Sequence, residues 1–357
     1  MDPSRESLPG KPSADGRILY SSFQAGPSLP PYVRYALASL AQSGLAVTLL
    51  TNRRELDEDS LAFLNSHAIE LFLTENDGFD FGMWRRYLNA TPDTLRAAWS
   101  RLLLINDSVV YFRDVLPDFI ARAESADADM VSLTANPNLG FHLQSFFLYL
   151  KPRAIQQLSA HLEESAAASA YWDTVRTMEV GLSRRMEANG LRIAPLFQTA
   201  KHIDFSYEEL IRRGAGFVKR RFIDRRYYTS SPHYFWKNNE RRAVELDYIR
   251  LIRESGNPDP AFPLDSLHTM VKTSPIQPVL YRLKRLGFLA FFPAIRALRR
   301  YCRFATPRIL ALDLLALLFC ASVALIAGRI YGWPAALAGF LTAALLVMTL
   351  RRMRRRA

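Results

Sequence analysis

The sequence predicts an α/β protein, a mostly parallel sheet flanked by helices, with a C-terminal α-helical membrane hairpin. Three observations carry that expectation. Short apolar runs alternate with stretches of helical period along the body of the chain, the strand ends there are polar, and two long apolar runs flanked by arginines lie near the end. At 357 residues, 49% hydrophobic and 22% charged, the chain has material for a core and is not wholly disordered. That length suits two domains, or one with appendages. The net charge of +12 is unevenly spread: from Pro278 onward 14 basic residues accompany one acidic residue, Asp313, which leaves 32 basic and 33 acidic in the preceding 277. A nearly neutral body with a basic tail argues against a nucleic-acid partner and for an anionic surface met by the tail.

Met1 to Gly16 is polar, lacks the apolar stretch of a signal peptide, and reads as a disordered leader (1–16). Arg17 to Phe23 (RILYSSF) reads as the first strand, Pro30 to Gln42 as a helix entered through prolines, and Ala46 to Thr51 (AVTLLT) as the second strand. Ala68 to Leu73 (AIELFL) is the third, leading into a polar loop, Thr74 to Trp84 (TENDGFDFGMW). Arg101 to Ile105 (RLLLI) is the fourth and ends at Asn106-Asp107-Ser108. Parallel strands with polar carboxyl ends place a site along that edge. There is no internal repeat, and the P-loop and GxGxxG fingerprints are absent.

This body, 17–205, is followed by a basic, helical extension, 206–277. Within it Lys219, Arg220, Arg221, Arg225 and Arg226, interleaved with Phe222, Tyr227 and Tyr228, suit a diphosphate, lipid headgroups or nucleic acid, and read best as a solvated or membrane-facing patch. Residues 278–308 mix aromatic and basic side chains as an interfacial amphipathic helix does. Ile309 to Ala327 and Pro334 to Leu350 are apolar runs of 19 and 17 residues, of spanning length or just short of it, so 309–350 reads as a two-helix transmembrane hairpin. Five arginines (Arg296, Arg299, Arg300, Arg303, Arg308) precede it and five (Arg351, Arg352, Arg354, Arg355, Arg356) follow it in the tail 351–357. The positive-inside rule then puts the body and both termini in the cytoplasm. Both cysteines, Cys302 and Cys320, fall in this part, which leaves no disulfide framework and no cysteine zinc site.

The chemistry-bearing residues cluster at strand ends. A carboxylate leaving a buried strand, as Asp107 does, can hold a hard divalent cation that neutralises a diphosphate, or it can merely cap a turn. Its company favours a site, because Glu75, Asn76, Asp77, Gly78 and Asp80 follow the previous strand directly. His142 and Gln144 alternate on a strand-like segment, as structural groups or as contacts to a ligand. Glu179 opens a helical run, where an acid is favourable in any case. Trp84 lies at a helical spacing more typical of core than of a sugar platform.

ENDGFDFGMW (Glu75 to Trp84), LLLINDSV (Leu102 to Val109) and HLQSFFLYL (His142 to Leu150) resemble the rhamnan synthesis protein F family of bacterial surface-polysaccharide glycosyltransferases. Glu179 to Gly190 resembles both that family and the segment of inverting GT-A glycosyltransferases that carries the catalytic acid, followed by Leu182, Arg185 and Gly190. The resemblance spans about Arg17 to Trp236 and implies a GT-A-like domain over 17–205. By its motifs Asn106-Asp107-Ser108 stands where an Asp-x-Asp motif binds the metal (Mg or Mn) and diphosphate, with only Asp107 a carboxylate. Asn76, Gly78 and Asp80 match the loop under the donor sugar, Glu179 matches the general base, and His142, Gln144 and Arg185 become candidate contacts to acceptor or donor.

The resemblance implies a membrane-anchored glycosyltransferase, an inverting hexosyltransferase of the bacterial inner membrane. It would pass a sugar, with dTDP-L-rhamnose as the expected donor, to a lipid-linked saccharide during O-antigen, lipopolysaccharide, capsule or rhamnan assembly. Ser108, in place of a second carboxylate, favours an alternative: a catalytically inactive, membrane-tethered subunit that binds carbohydrate or lipid carrier.

Overall fold

The computed structural model describes residues 15–52, 55–75, 77–137, 140–165, 171–198, 206–224 and 248–271. The leader up to Ala14, Asn76, and the interfacial segment, hairpin and tail from 278 to 357 lie outside the described residues. Among the described residues no helix is long and apolar enough to cross a membrane.

Four strands pair in parallel: β1 (Gly16–Ser22), β2 (Ala46–Thr51), β3 (Glu70–Leu73) and β4 (Arg101–Asn106), with β1 between β2 and β4. Beyond a short strand, β5 (Val109–Tyr111), come β6 (Met130–Ser132), β7 (Ala135–Asn136), β8 (His142–Leu143), β9 (Phe147–Leu150), β10 (Ile193–Pro195) and β11 (Phe217–Lys219). The main sheet has seven strands in the order β10-β6-β9-β4-β1-β2-β3; β9 runs antiparallel to both neighbours, and every other strand shares one direction.

The alternation of side chains along each strand decides which face covers what. Ile18, Tyr20, Val47, Leu49, Leu103 and Ile105 point to one face, where α1 (Pro31–Ala41) and, after α2 (Glu58–Ser66), α3 (Phe79–Ala90) and α4 (Asp93–Ala97), α5 (Leu116–Ser125) bury Val33, Leu37, Phe119 and Ile120 against them. Leu19, Leu50, Leu102 and Leu104 point to the other, against α3, α6 (Pro152–Glu164) and, past α7 (Tyr171–Thr174), α8 (Gly181–Ala188). Fully burying such a side chain contributes about 1.5–3 kcal/mol. A π-helical turn, Val175–Val180, joins α7 to α8.

Three elements differ from the sequence expectation. The first strand begins at Gly16, inside the expected leader, and ends at Ser22, leaving Phe23 exposed. The third begins only at Glu70, because Ala68 has a φ of 52°. The polar loop from Thr74 holds the start of α3: Gly78 caps it at φ 80°, and a Cβ on Gly82 would lie 1.8 Å from the carbonyl oxygen of Asp77, so two glycines bend the chain into that helix.

The described parts of 206–277 share the core of the body. Tyr207 and Ile211 of α9 (Tyr207–Arg212), Phe222 of α10 (Arg220–Asp224) and Ile249 and Ile252 of α11 (Tyr248–Glu254) pack with the β1 and β4 side chains of the first face. They are tied there by β11, which pairs antiparallel with β5 in the register Phe217↔Tyr111, Val218↔Val110, Lys219↔Val109.

Candidate active site

β1 leads through α1 to β2 on one side, while β4 lies on its other side, so the carboxyl ends of β1 and β4 flank a topological switch point, where open α/β sheets leave a crevice. The residues that end those strands are polar and bonded to one another. Ser21 Oγ donates to Asp80 Oδ1 at 2.9 Å, and Asn106 Nδ2 donates to Asp80 Oδ2 at 2.7 Å. Ser22 Oγ donates to Asp107 Oδ2 at 2.9 Å. Arg220 reaches the same oxygen with Nη1 at 2.7 Å and also donates to Tyr32 Oη at 3.0 Å. Its position follows from the small sheet: with Lys219 opposite Val109, the Arg220 N–H donates to the Ser108 carbonyl at 2.8 Å.

Burial pushes the Asp107 carboxyl above the ordinary carboxylate value, against the pull of Arg220. The Asp80 carboxyl is pushed up to about 7, first by burial and then by the charge of Asp107. Glu179 also raises it, which places the Glu179 charge near the same cluster. Glu179 sits in the π-helical turn, a geometry frequent at functional sites. Its Oε1 accepts from the Ser145 hydroxyl and from the Ser145 N–H at 3.4 Å, and its Oε2 faces His142 Nε2 at 3.8 Å.

The structure thus brings together Asp80, Asn106, Asp107 and Ser108, and separately pairs Glu179 with Ser145 and His142, the Glu179 charge reaching Asp80. The other expected residues have surroundings of their own. Gly78 is the cap of α3, and Asn76 lies outside the described residues. Gln144 is buried and its side-chain Oε1 accepts from Thr134 Oγ1 at 2.7 Å. Arg185 is drawn to the outer side of α6, where it grips Glu164 at 2.6 and 3.0 Å and Gln157 at 3.1 Å. Trp84 is fully buried, edge-on to Phe81. Sequence reading missed Ser21, Ser22, Tyr32 and Ser145, and took Arg220 for part of a surface patch. The paired serines at the end of an apolar strand were a readable signal; nothing local singles Arg220 out of its basic cluster as the residue that reaches Asp107, 113 residues away in sequence.

Among the described residues no group of three or more His, Cys, Asp or Glu side chains is placed to hold a metal ion. Ser108 turns its hydroxyl to Asn106 Oδ1 at 2.6 Å. Asp107 Oδ1, however, accepts no hydrogen bond among the described residues, since Ser22 and Arg220 both use Oδ2. One such oxygen fits a hard cation that draws its remaining ligands from phosphates and water, so Asp107 is the residue that would hold it. When bound there, a cation would neutralise charge on a diphosphate.

No protein-family model matches the chain, and no curated protein matches it. The resemblance to the rhamnan synthesis protein F family therefore rests on its four motifs alone. Among solved structures, a mannosyltransferase from Pyrobaculum calidifontis in complex with GDP-Man and Mn2+ is 11% identical, with 95% of this chain and 90% of that one covered and a TM-score of 0.34. The glycosyltransferase GlyE of Streptococcus pneumoniae is 11% identical, with 57% and 49% covered and a TM-score of 0.32. A 4-diphosphocytidyl-2C-methyl-D-erythritol synthase is 9% identical, with 53% and 91% covered and a TM-score of 0.35. Likenesses of this size carry no argument about what this chain binds or does.

Proposed function

We propose that the chain is a glycosyltransferase that moves a sugar from a nucleoside-diphosphate donor to a hydroxyl acceptor with inversion. The single observation that carries this reading is a bonded Asp80–Asn106–Asp107–Arg220 cluster at the β1/β4 switch point, with Glu179, a carboxylate fixed through Oε1 and open at Oε2, near enough for its charge to raise the Asp80 carboxyl. Asp107 and Arg220 face the donor diphosphate: Arg220 supplies hydrogen-bond donors of fixed geometry, and Asp80, raised toward neutrality, can donate to a sugar hydroxyl as well as accept from one. Glu179 Oε2 takes the proton of the acceptor hydroxyl as its oxygen attacks the anomeric carbon and the diphosphate departs from the opposite face.

The donor in this reading is dTDP-L-rhamnose and the acceptor a lipid-linked saccharide of a surface polysaccharide. Anchoring through 309–350 at the bacterial inner membrane brings the site to that acceptor; the apolar runs and their arginine flanks support it. Release of dTDP from dTDP-L-rhamnose by membranes carrying the full chain, absent from membranes without it, is the expected result. Donor binding with no release favours the second reading, an inactive binding subunit, for which the single carboxylate of Asn106-Asp107-Ser108 speaks. Loss of release on chelation, restored by Mg or Mn, is the expected mark of a cation at Asp107.

A further inference from the structure

The bend that holds His142 fixes which of its nitrogens carries hydrogen. Nδ1 lies 2.9 Å from the Gly140 carbonyl oxygen, and a carbonyl only accepts, so Nδ1 is the donor. Nε2 of the neutral ring is then a bare lone pair. The residue is 1% exposed, and among the described residues its Nε2 has no hydrogen-bond partner. It faces Glu179 Oε2 at 3.8 Å, beyond hydrogen-bond length, and an ionised carboxylate has no hydrogen to offer it. Ser145 occupies the other carboxylate oxygen with both its hydroxyl and its N–H. Oε2 is therefore the oxygen left to accept a proton, and once protonated it becomes a donor with a vacant buried acceptor beside it.

We infer that His142 is the proton relay behind Glu179, taking at Nε2 the proton that Oε2 removes from the acceptor hydroxyl. The inference rests on the transferase reading above. The step balances within the site. The acceptor O–H breaks, its electron pair forms the bond to the anomeric carbon, and the anomeric carbon–phosphate oxygen bond breaks with its pair leaving on the nucleoside diphosphate. The proton passes from the hydroxyl to Oε2 and on to Nε2, which leaves an imidazolium beside a carboxylate; with His142 buried, the proton leaves for solvent back through Oε2 of the part-exposed Glu179 once the products depart. The pair is unsatisfied before the reaction and satisfied after proton transfer, which is the arrangement that favours the transition state over the ground state. Among the described residues, the charged groups near it include Glu179 from the π-helical turn and Arg184 of α8, whose Nη2 is 3.3 Å from where a Cβ on Gly140 would stand; the Glu179 charge also reaches Asp80 of α3. Asn136 of β7, opposite His142 in the small sheet, is uncharged.

His142 acts through Glu179, so the test must separate a relay from a structural role. Release of dTDP from dTDP-L-rhamnose is measured over a range of donor concentrations for the full chain in membranes and for His142→Gln. The relay predicts turnover lower by about 100-fold with donor KM within about two-fold. Nitrogen NMR of the labelled, detergent-solubilised full chain provides a readout that needs no turnover. The expected spectrum shows His142 as the Nδ1–H tautomer, with an Nε2 signal that moves in Glu179→Gln, where the new amide offers it a hydrogen. No release by the unmodified chain overturns the transferase reading and the relay with it. Release accompanied by an Nε2–H tautomer, by an unchanged rate in His142→Gln, or by an effect confined to KM overturns the relay alone.

Discussion

Asp80 is a carboxyl half protonated near neutrality, because burial and the neighbouring Asp107 push it up to about 7. Its raised value sets the sign of a pH effect. Between the ordinary 3.8 and about 7 the folded chain holds a proton on Asp80 that the unfolded chain has lost, so the residue's contribution to stability is present at low pH and declines as pH rises through that window. Asp80→Asn is expected to remove that decline, visible as a flatter dependence of the denaturant midpoint on pH between about 4 and about 7 than the unmodified chain shows; identical slopes would refute the assignment. Asp107 is a harder residue to test than a strand-end acid suggests. Replacing it by Ala takes from the Arg220 guanidinium its nearest carboxylate, leaving it Tyr32 and, at 3.7 Å, Asp224, so Asp107→Ala is expected to lose some stability as well as activity. Asp107→Asn keeps the shape and the bond from Ser22, and isolates the charge. Glu179→Gln is expected to lower turnover by about 100- to 10,000-fold, since it removes the base and leaves the Ser145 bonds.

At the scale of elements, the turn into α3 places Asp80. Gly82→Ala puts a Cβ where the Asp77 carbonyl oxygen now approaches to 1.8 Å, and is expected to cost about 1–3 kcal/mol by overpacking and to displace the Asp80 carboxyl from Ser21 and Asn106. Chemical denaturation and donor affinity measured on the same variant check both halves. Leu104→Ala, on the opposite side of β4 from Leu103, is expected to cost about 2–5 kcal/mol with no direct effect on the site. Much of this was legible in the sequence. The parallel strands showed as apolar runs because both faces of the sheet are covered, and Asp107 showed because it ends such a run. Asp80 and Asn106 were legible as neighbours in motifs, although not that one bonds the other. What the sequence concealed has a common physical cause. Arg220 reaches Asp107 through the pairing of β5 with β11, two three-residue strands too short to print a period, and the Ser145 bond to Glu179 spans 34 residues. Arg185 shows the converse, since a matching motif position did not prevent Glu164 from claiming the side chain.

For the whole molecule, the division of charge is the governing feature: a body with 32 basic and 33 acidic residues and a tail with 14 and one. Removing Pro278 to Ala357 deletes both apolar runs and that excess together. The shortened chain is expected to be extracted without detergent and to bind donor, yet to transfer poorly to an acceptor held in the membrane; recovery in the membrane pellet would count against the anchor. Cysteines placed at Gly332 and Ala357 are expected to label from opposite sides. The central claim is that one cluster binds the donor while Glu179 performs the proton transfer. The measurement that tests it most directly is a comparison of dTDP-L-rhamnose affinity and turnover in the unmodified chain, Asp107→Asn and Glu179→Gln. The account predicts that Asp107→Asn loses affinity, whereas Glu179→Gln keeps affinity and loses turnover; equal loss of affinity in both, or turnover preserved in Glu179→Gln, would contradict it.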